Sequence, residues 1–314
     1  DQLGEYLAKH GRRLIGWDEI PEGGLPPSAS VMSWRGEKGA VEAANQGHDV
    51  VLSPAPILYL DSLQSGRSDE PPGRISNGDA IVTLARLYAY EPAPAGLAPD
   101  KAKHVLGAQI NAFSEYLVTP QQLEHATFPR LSALAERTWS PGSTRDFDSF
   151  VSRLEPQMGR YARAGIAAAD SAFAVDFTIS GTRGDALRRG KVPVTLATQT
   201  GYGTIRYTLD GKEPTARSKT YAAPLSVKPG VTIRAAAFTT DGRPTAEPRL
   251  FETSRAALLR RSSSELVACP DGAIGLRVPL TSEATANTPV FNVNIFDTCT
   301  MYPAAPLDVA RGFT

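Results

Sequence analysis

Between residues 11 and 165 four short apolar runs alternate with segments of helical character, and this alternation is what most constrains the fold. The runs are RRLIGW at 12–17, SVMSW at 30–34, DVVLS at 49–53 and HVLGAQIN at 104–111. Strands separated by helices read as parallel βα units, because a parallel pair needs a crossover long enough to hold a helix. GAVEAANQG, between the second and third runs, predicts a short alanine-rich helix closed by Gly47 in the left-handed region. GDAIVTLARLYAY follows the third run. After the fourth, a helix should open at Thr119, with Pro120 first and Gln122 where a capping box needs it. Pro129 should kink or split that helix, and the amphipathic stretch DFDSFVSRLEPQMGRYARAG ends the region at Gly165.

Each run finishes in an aromatic or acidic side chain: Trp17, Trp34, Tyr59 with Asp61, and Phe113 with Glu115. In (β/α)8 barrels the carboxyl ends of the strands build the active site, so these residues are candidates for a ligand site. Four strands fall short of the eight, and typically ~250 residues, that such a barrel needs. A partial barrel with its first half upstream is therefore expected. The start, DQLGEYLAKHGRR, lacks Met and reads as the last turns of a helix through Leu3, Tyr6 and Leu7, closed by Gly11.

After residue 170 the sequence changes to Thr, Val, Gly and Pro with alternating apolar positions, as in KVPVTLAT, TIRYTL, VTIRAAAF and LRVPLT. These read as antiparallel sandwich strands. The expected fold is α/β plus all-β, with a partial barrel over 1–168, an immunoglobulin-like sandwich over 169–255 and further β material over 256–314, ending abruptly at RGFT.

The 33 basic and 33 acidic side chains cancel, without long runs of either sign, so nucleic acid and charged membrane surfaces are not expected partners and a neutral ligand fits better. No apolar stretch approaches the roughly 20 residues needed to span a bilayer. The four histidines, His10, His48, His104 and His125, are scattered, and neither a metal nor a cofactor is expected. Cys269 and Cys299 leave open either one disulfide or two buried thiols.

Five motifs in order, GWDEI (16–20), VMSWRG (31–36), LYLD (58–61), GAQINAFSEY (107–116) and FPRLSALAERTWS (128–140), resemble the family 20 glycoside hydrolases, the β-N-acetylhexosaminidases and chitobiases. IRYTLDGKEPTARSKTY resembles the family's carboxy-terminal immunoglobulin-like domain, and the resemblance covers essentially the whole chain. It implies barrel strands 5 to 8 and hydrolysis of terminal non-reducing N-acetylhexosamine, with retention, through the substrate's own acetamido oxygen. It also implies an amino-sugar oligosaccharide as partner and periplasmic or secreted residence. The family's acid/base Asp-Glu pair sits on the fourth barrel strand, before residue 1, so this chain alone should be inactive. Asp18-Glu19 follows Trp17 on the fifth strand and lacks that pair's preceding context.

By match to the motifs, Tyr59 should donate its hydroxyl to the acetamido oxygen. Asp61 and Glu115 should accept from sugar hydroxyls at O4 and O6, and Trp17 and Trp34 should wall the acetamide pocket. Phe113 departs from the Trp usual in the family, which leaves a smaller platform without an indole N–H. Each has a blander reading: rim or core packing for the aromatics, solvated loop charge for the carboxylates. Arg35 either holds a loop through a carboxylate or stands on the surface, and FPRLSALAERTWS reads as helix packing, with Glu136 and Arg137 in surface or interface pairs. Tyr202, Tyr207 and Tyr221 are either a sugar-stacking face or sandwich core. The competing function is a carbohydrate-binding or adhesion module with a vestigial half barrel. Exposed strand edges could also bring two copies together as a homodimer.

Overall fold

In the computed structural model the four apolar runs form one parallel sheet in chain order. The structure describes residues 2–20, 24–74, 81–258, 265–268, 274–279 and 295–297. Helix α1 (Gln2–Lys9) leads into strands β1 (Ile15–Trp17) and β2 (Ser30–Ser33), followed by α2 (Lys38–Asn45) and β3 (Val50–Leu52). Trp17 lies opposite Met32, and Ser33 opposite Leu52. Spaced three and then one apart, Ala40, Ala43 and Ala44 share one face of α2 and pack with Val31, Val50 and Leu52 in a buried cluster. Small side chains let the helix lie close to the sheet, and a larger residue such as Leu at Ala43 would cost about 1–3 kcal/mol in overpacking. Gly47, at φ +91°, ends this turn as expected, its N–H donating to the Ala44 carbonyl at 2.9 Å.

After β3 come α3 (Leu84–Ala89), capped by the Thr83 hydroxyl, and β4 (Val105–Ala108). The capping box at Thr119 is present: its Oγ1 accepts the Gln122 N–H at 3.2 Å, and Gln122 Oε1 accepts the Thr119 N–H at 3.1 Å. Pro129 does split the helical run, into α4 (Pro120–Thr127) and α5 (Arg130–Trp139). Helix α6 (Phe147–Arg163) follows, capped by Asp146, and Gly165 at φ +72° comes just after it. Tyr88 of α3 stacks on Phe150 of α6 with centroids 4.9 Å apart and donates its hydroxyl to Glu136 of α5 at 3.0 Å. Arg153 of α6 pairs with the same carboxylate at 2.7 Å and draws its pKa below the usual range. Arg137 turns instead to Glu91 and the Tyr90 carbonyl. The FPRLSALAERTWS stretch thus ties three helices together, with Glu136 and Arg137 in separate pairs.

The chain divides into two compact units, Asp1–Ser65 with Gly78–Ala174 and Thr198–Gly203, and Gly66–Asn77 with Val175–Ala197 and Thr204–Thr314. Within the second, strands β5 (Asp176–Ile179) and β6 (Val192–Ala197) flank α7 (Arg183–Arg189). They are followed by β7 (Thr204–Thr208), β8 (Lys219–Thr220), β9 (Leu225–Val227), β10 (Thr232–Phe238) and β11 (Arg249–Glu252), then α8 (Arg255–Leu258). Two antiparallel sheets result, β5-β6-β9 and β11-β10-β7-β8. Val192, Val194 and Val227 from the first share a core with Ile233 and Ala235 from the second, and Phe177 stacks on Phe251 at 5.2 Å. Tyr207 and Tyr221 pack against that core. In the same unit Arg67 donates to Asp176 at 3.1 Å and to Asp69 at 3.0 Å, fastening residues 66–74. Helix α7 was not anticipated, although Thr182 caps it by accepting the Asp185 N–H and Gly190 closes it in the left-handed region. A further antiparallel sheet consists of β12 (Glu265–Ala268), β13 (Ile274–Pro279) and β14 (Ile295–Asp297). Cys269 and Cys299 lie outside the described residues.

Candidate active site

At the carboxyl edge of the parallel sheet, Asp18 is buried directly after β1. Its carboxylate accepts the Arg35 backbone N–H at 3.3 Å and Arg35 Nε at 3.2 Å, while Arg35 Nη2 donates to the Asp18 carbonyl at 2.5 Å. Glu19 Oε1 accepts from the Trp34 indole Nε1 at 2.9 Å. The acidic pair therefore fixes the loop after β2 and turns the Trp34 ring, and Arg35 takes the loop-holding role. Trp17, 37 % exposed, and the half-buried Trp34 stand at the ends of neighbouring strands.

The ends of β3 and β4 are joined by a polar seam. The Gln109 N–H donates to the Leu52 carbonyl, the Asn111 N–H to that of Leu58, and the Leu60 N–H to that of Asn111, each at 2.8 Å. Beneath this ladder Asn111 Nδ2 donates to Ser53 Oγ at 2.6 Å, Ser53 Oγ to the Gln109 carbonyl at 3.1 Å, and Gln109 Nε2 to Asn111 Oδ1 at 2.9 Å. A chain of side-chain hydrogen bonds through the buried Asn111 and the half-buried Gln109 holds a backbone in place, since a shift leaves polar groups unmet. A β-bulge precedes the seam: the register slips between Val50 and Val51, and Gly107 sits at φ +144°, which side chains other than hydrogen rarely adopt.

The seam brings Tyr59 opposite Asn111 and places its ring 5.7 Å from that of Phe113, tilted by 44°. Tyr59 is 5 % exposed and Phe113 39 %, so the phenol is sunk beside an open aromatic face. Asp61, at 1 %, is more enclosed than a carboxylate on an open cleft, whereas Glu115 lies on the exposed stretch 112–115.

Sequence reasoning passed over Ser53, Gln109 and Asn111, whose signal is polar side chains at the ends of apolar strands. It also passed over Arg130, fully buried at the start of α5. The guanidinium donates to the carbonyls of Leu60 at 2.5 Å, Val82 at 3.0 Å and Ala126 at 2.6 and 3.1 Å. Among the described residues no group of three or more His, Cys, Asp and Glu is placed to hold a metal ion.

The model of the glycosyl hydrolase family 20 catalytic domain matches residues 1–142, and that of the chitobiase/β-hexosaminidase carboxy-terminal domain matches 188–247. Residues 1–142 are thus similar to the family 20 catalytic domain. The parallel sheet and its carboxyl edge fall within this family 20 stretch, and most of the two-sheet unit falls within the chitobiase-type domain. A β-hexosaminidase of Porphyromonas gingivalis is 42 % identical over 225 residues, covering 71 % of this chain and 28 % of that protein. One from Vibrio furnissii is 33 % identical over 131 residues, covering 41 % and 21 %. The exo-β-N-acetylglucosaminidase of Vibrio harveyi, solved in complex with N-acetylglucosamine, gives a TM-score of 0.48 at 32 % identity over 52 % of this chain and 26 % of that one. The chain thus spans about a quarter of the length of these relatives.

Proposed function

We propose that this chain supplies the sugar-holding part of the active site of an exo-acting β-N-acetylhexosaminidase, its four parallel strands being strands 5 to 8 of a (β/α)8 barrel. The observation that carries the reading is the Tyr59–Phe113 pair, a sunken phenol beside an exposed ring, at the carboxyl ends of adjacent strands in family 20 sequence. A neutral phenol donates one hydrogen bond at pH 7. Aimed at the acetamido carbonyl oxygen, it aligns that oxygen with the anomeric carbon.

The oxygen then forms a bond to the anomeric carbon as the glycosidic bond breaks, and the departing oxygen takes its proton from an acid. Water then attacks the anomeric carbon, the bond to the acetamido oxygen breaks, and water's proton returns to the group that acted as acid, with net retention. Phe113, Trp34 and Trp17 offer apolar faces to the sugar and its acetamide methyl. Asp61, enclosed, accepts a sugar hydroxyl where little water competes, and Glu115 accepts one at the rim. The acid is supplied by an Asp-Glu pair on another strand, because Asp18 and Glu19 are committed to Arg35 and Trp34. Residence outside the cytoplasm, periplasmic or secreted, goes with this reading. No helix among the described residues is long and apolar enough to cross a membrane. Tyr207 and Tyr221, half-buried, pack against the sandwich core, which speaks against a separate sugar-binding face there.

The test is release of 4-nitrophenol from its β-N-acetylglucosaminide by the 314-residue chain, and by the same chain preceded by the amino-terminal catalytic part of the Porphyromonas gingivalis relative. Turnover is expected only from the longer chain. Turnover by the shorter one at a comparable rate would contradict the proposal.

A further inference from the structure

Arg130 places a guanidinium out of reach of solvent, at 0 % exposure, and donates to carbonyls from three separate segments. Desolvating a cation is costly, and replacing this one with a residue that has fewer donors would leave buried carbonyls unmet. The flat, fixed fork of donors reaches several acceptors at once, which the single ammonium of lysine does not. One of the acceptors is the carbonyl of Leu60, the residue between Tyr59 and Asp61. On its other side Leu60 is held by its own N–H, which donates to Asn111. The peptide that carries both proposed sugar contacts is thus clamped between β4's extension and the first turn of α5. The Ala126 carbonyl belongs to the last turn of α4, so the same guanidinium also bridges the break at Pro129.

We infer that Arg130 is a positioning residue for substrate: it sets the depth of Tyr59 and Asp61 through the Leu60 carbonyl without itself touching the sugar. This rests on the sugar-site reading above, and the experiment separates the two. Arg130→Lys and Arg130→Gln are made in the active longer chain, alone and together with Tyr59→Phe, and kcat, KM and thermal midpoint are measured. A misplacement of about 1 Å at a reacting group costs on the order of 100-fold in rate. Arg130→Lys is therefore expected to lower kcat/KM by roughly 30- to 100-fold, chiefly in kcat, in a protein that remains folded at the assay temperature. In the Tyr59→Phe background the same change should cost several-fold less than in the parent, because of the two positioned groups only Asp61 is left. Full multiplicative losses in the double variant, or losses that follow only the folded fraction, overturn the inference. Failure of both variants to fold also overturns it, since Arg130 is then a folding residue. If Tyr59→Phe alone is as active as the parent, it is the sugar-site reading that fails.

Discussion

The rings of Tyr59 and Phe113 lie 5.7 Å apart at a 44° tilt, one sunk and one open, although 54 positions separate them in the chain. They meet because the ladder continues past β3 and β4 through Asn111, so the loops leave the sheet already in register.

Replacing Phe113 tests the aromatic face. An aromatic pair contributes about 0.5–1.5 kcal/mol beyond the area it buries. Phe113→Ala in the active longer chain is expected to raise KM for an N-acetylglucosaminide by roughly 3- to 10-fold. Phe113→Trp, with more ring surface, should lower it. Initial-rate kinetics decide the matter, and an unchanged KM in both variants would remove Phe113 from the site.

Asp18 and Glu19 should respond differently from an acid/base pair. The side-chain oxygen of Gln can still accept from Trp34, so Glu19→Gln is expected to keep kcat/KM within about 3-fold, where loss of a general acid costs on the order of 100- to 10,000-fold. Asp18→Ala removes a buried acceptor for the exposed Arg35 and for the Ser33 hydroxyl. It should lower stability in urea by about 1–3 kcal/mol.

At the amino edge of the sheet, Asp49 accepts from His104 at 3.1 Å and Arg13 at 2.9 Å, and these bonds hold its pKa below the usual carboxylate value. A carboxylate whose pKa is depressed by folding stabilises the fold above its unfolded pKa, about 3.9, and that contribution is lost as the pH falls through the folded value. The stability difference between the parent chain and Asp49→Asn should therefore be constant above about pH 5 and shrink toward zero on acidification below about pH 4. Urea midpoints across pH 3–7 measure it, and a difference that grows toward acid would contradict the assignment.

Gly107 has open space where a Cβ would stand, yet its φ of +144° is one that L side chains rarely adopt. Gly107→Ala is expected to cost about 1–3 kcal/mol from backbone strain alone. Because the bulge precedes Gln109 and Asn111, the loss should be accompanied by faster amide exchange at Gln109, Asn111 and Leu60, whose N–H groups make the seam. Exchange unchanged at those amides would uncouple the bulge from the seam.

Local signals carried much of this fold. Thr119, Pro120 and Gln122 announced a helix start that the structure forms with both capping bonds, Pro129 announced the break between α4 and α5, and Gly47 announced the end of the turn after α2. The residues gathered at the carboxyl edge were legible because strand ends are marked by where apolar runs stop. What remained hidden depends on partners far along the chain. Nothing near Arg130 reveals that it reaches Leu60, 70 positions away, and nothing near Asp61 reveals that it is enclosed. The stretch around Arg130 reads as helix packing through its apolar positions, and a buried arginine is too rare to be expected among them. Helix α7 was missed for a different reason, since it is one short segment set among strands and its caps, Thr182 and Gly190, resemble turn residues.

Tyr59→Phe in the active longer chain isolates the hydroxyl proposed to orient the internal nucleophile. Phe keeps the ring beside Phe113 and removes only the hydroxyl. The expected result is a kcat for the β-N-acetylglucosaminide lower by roughly 100-fold or more, as when one preorganised donor is removed from a developing charge, with the thermal midpoint within a few degrees of the parent's. A kcat within threefold of the parent would contradict it.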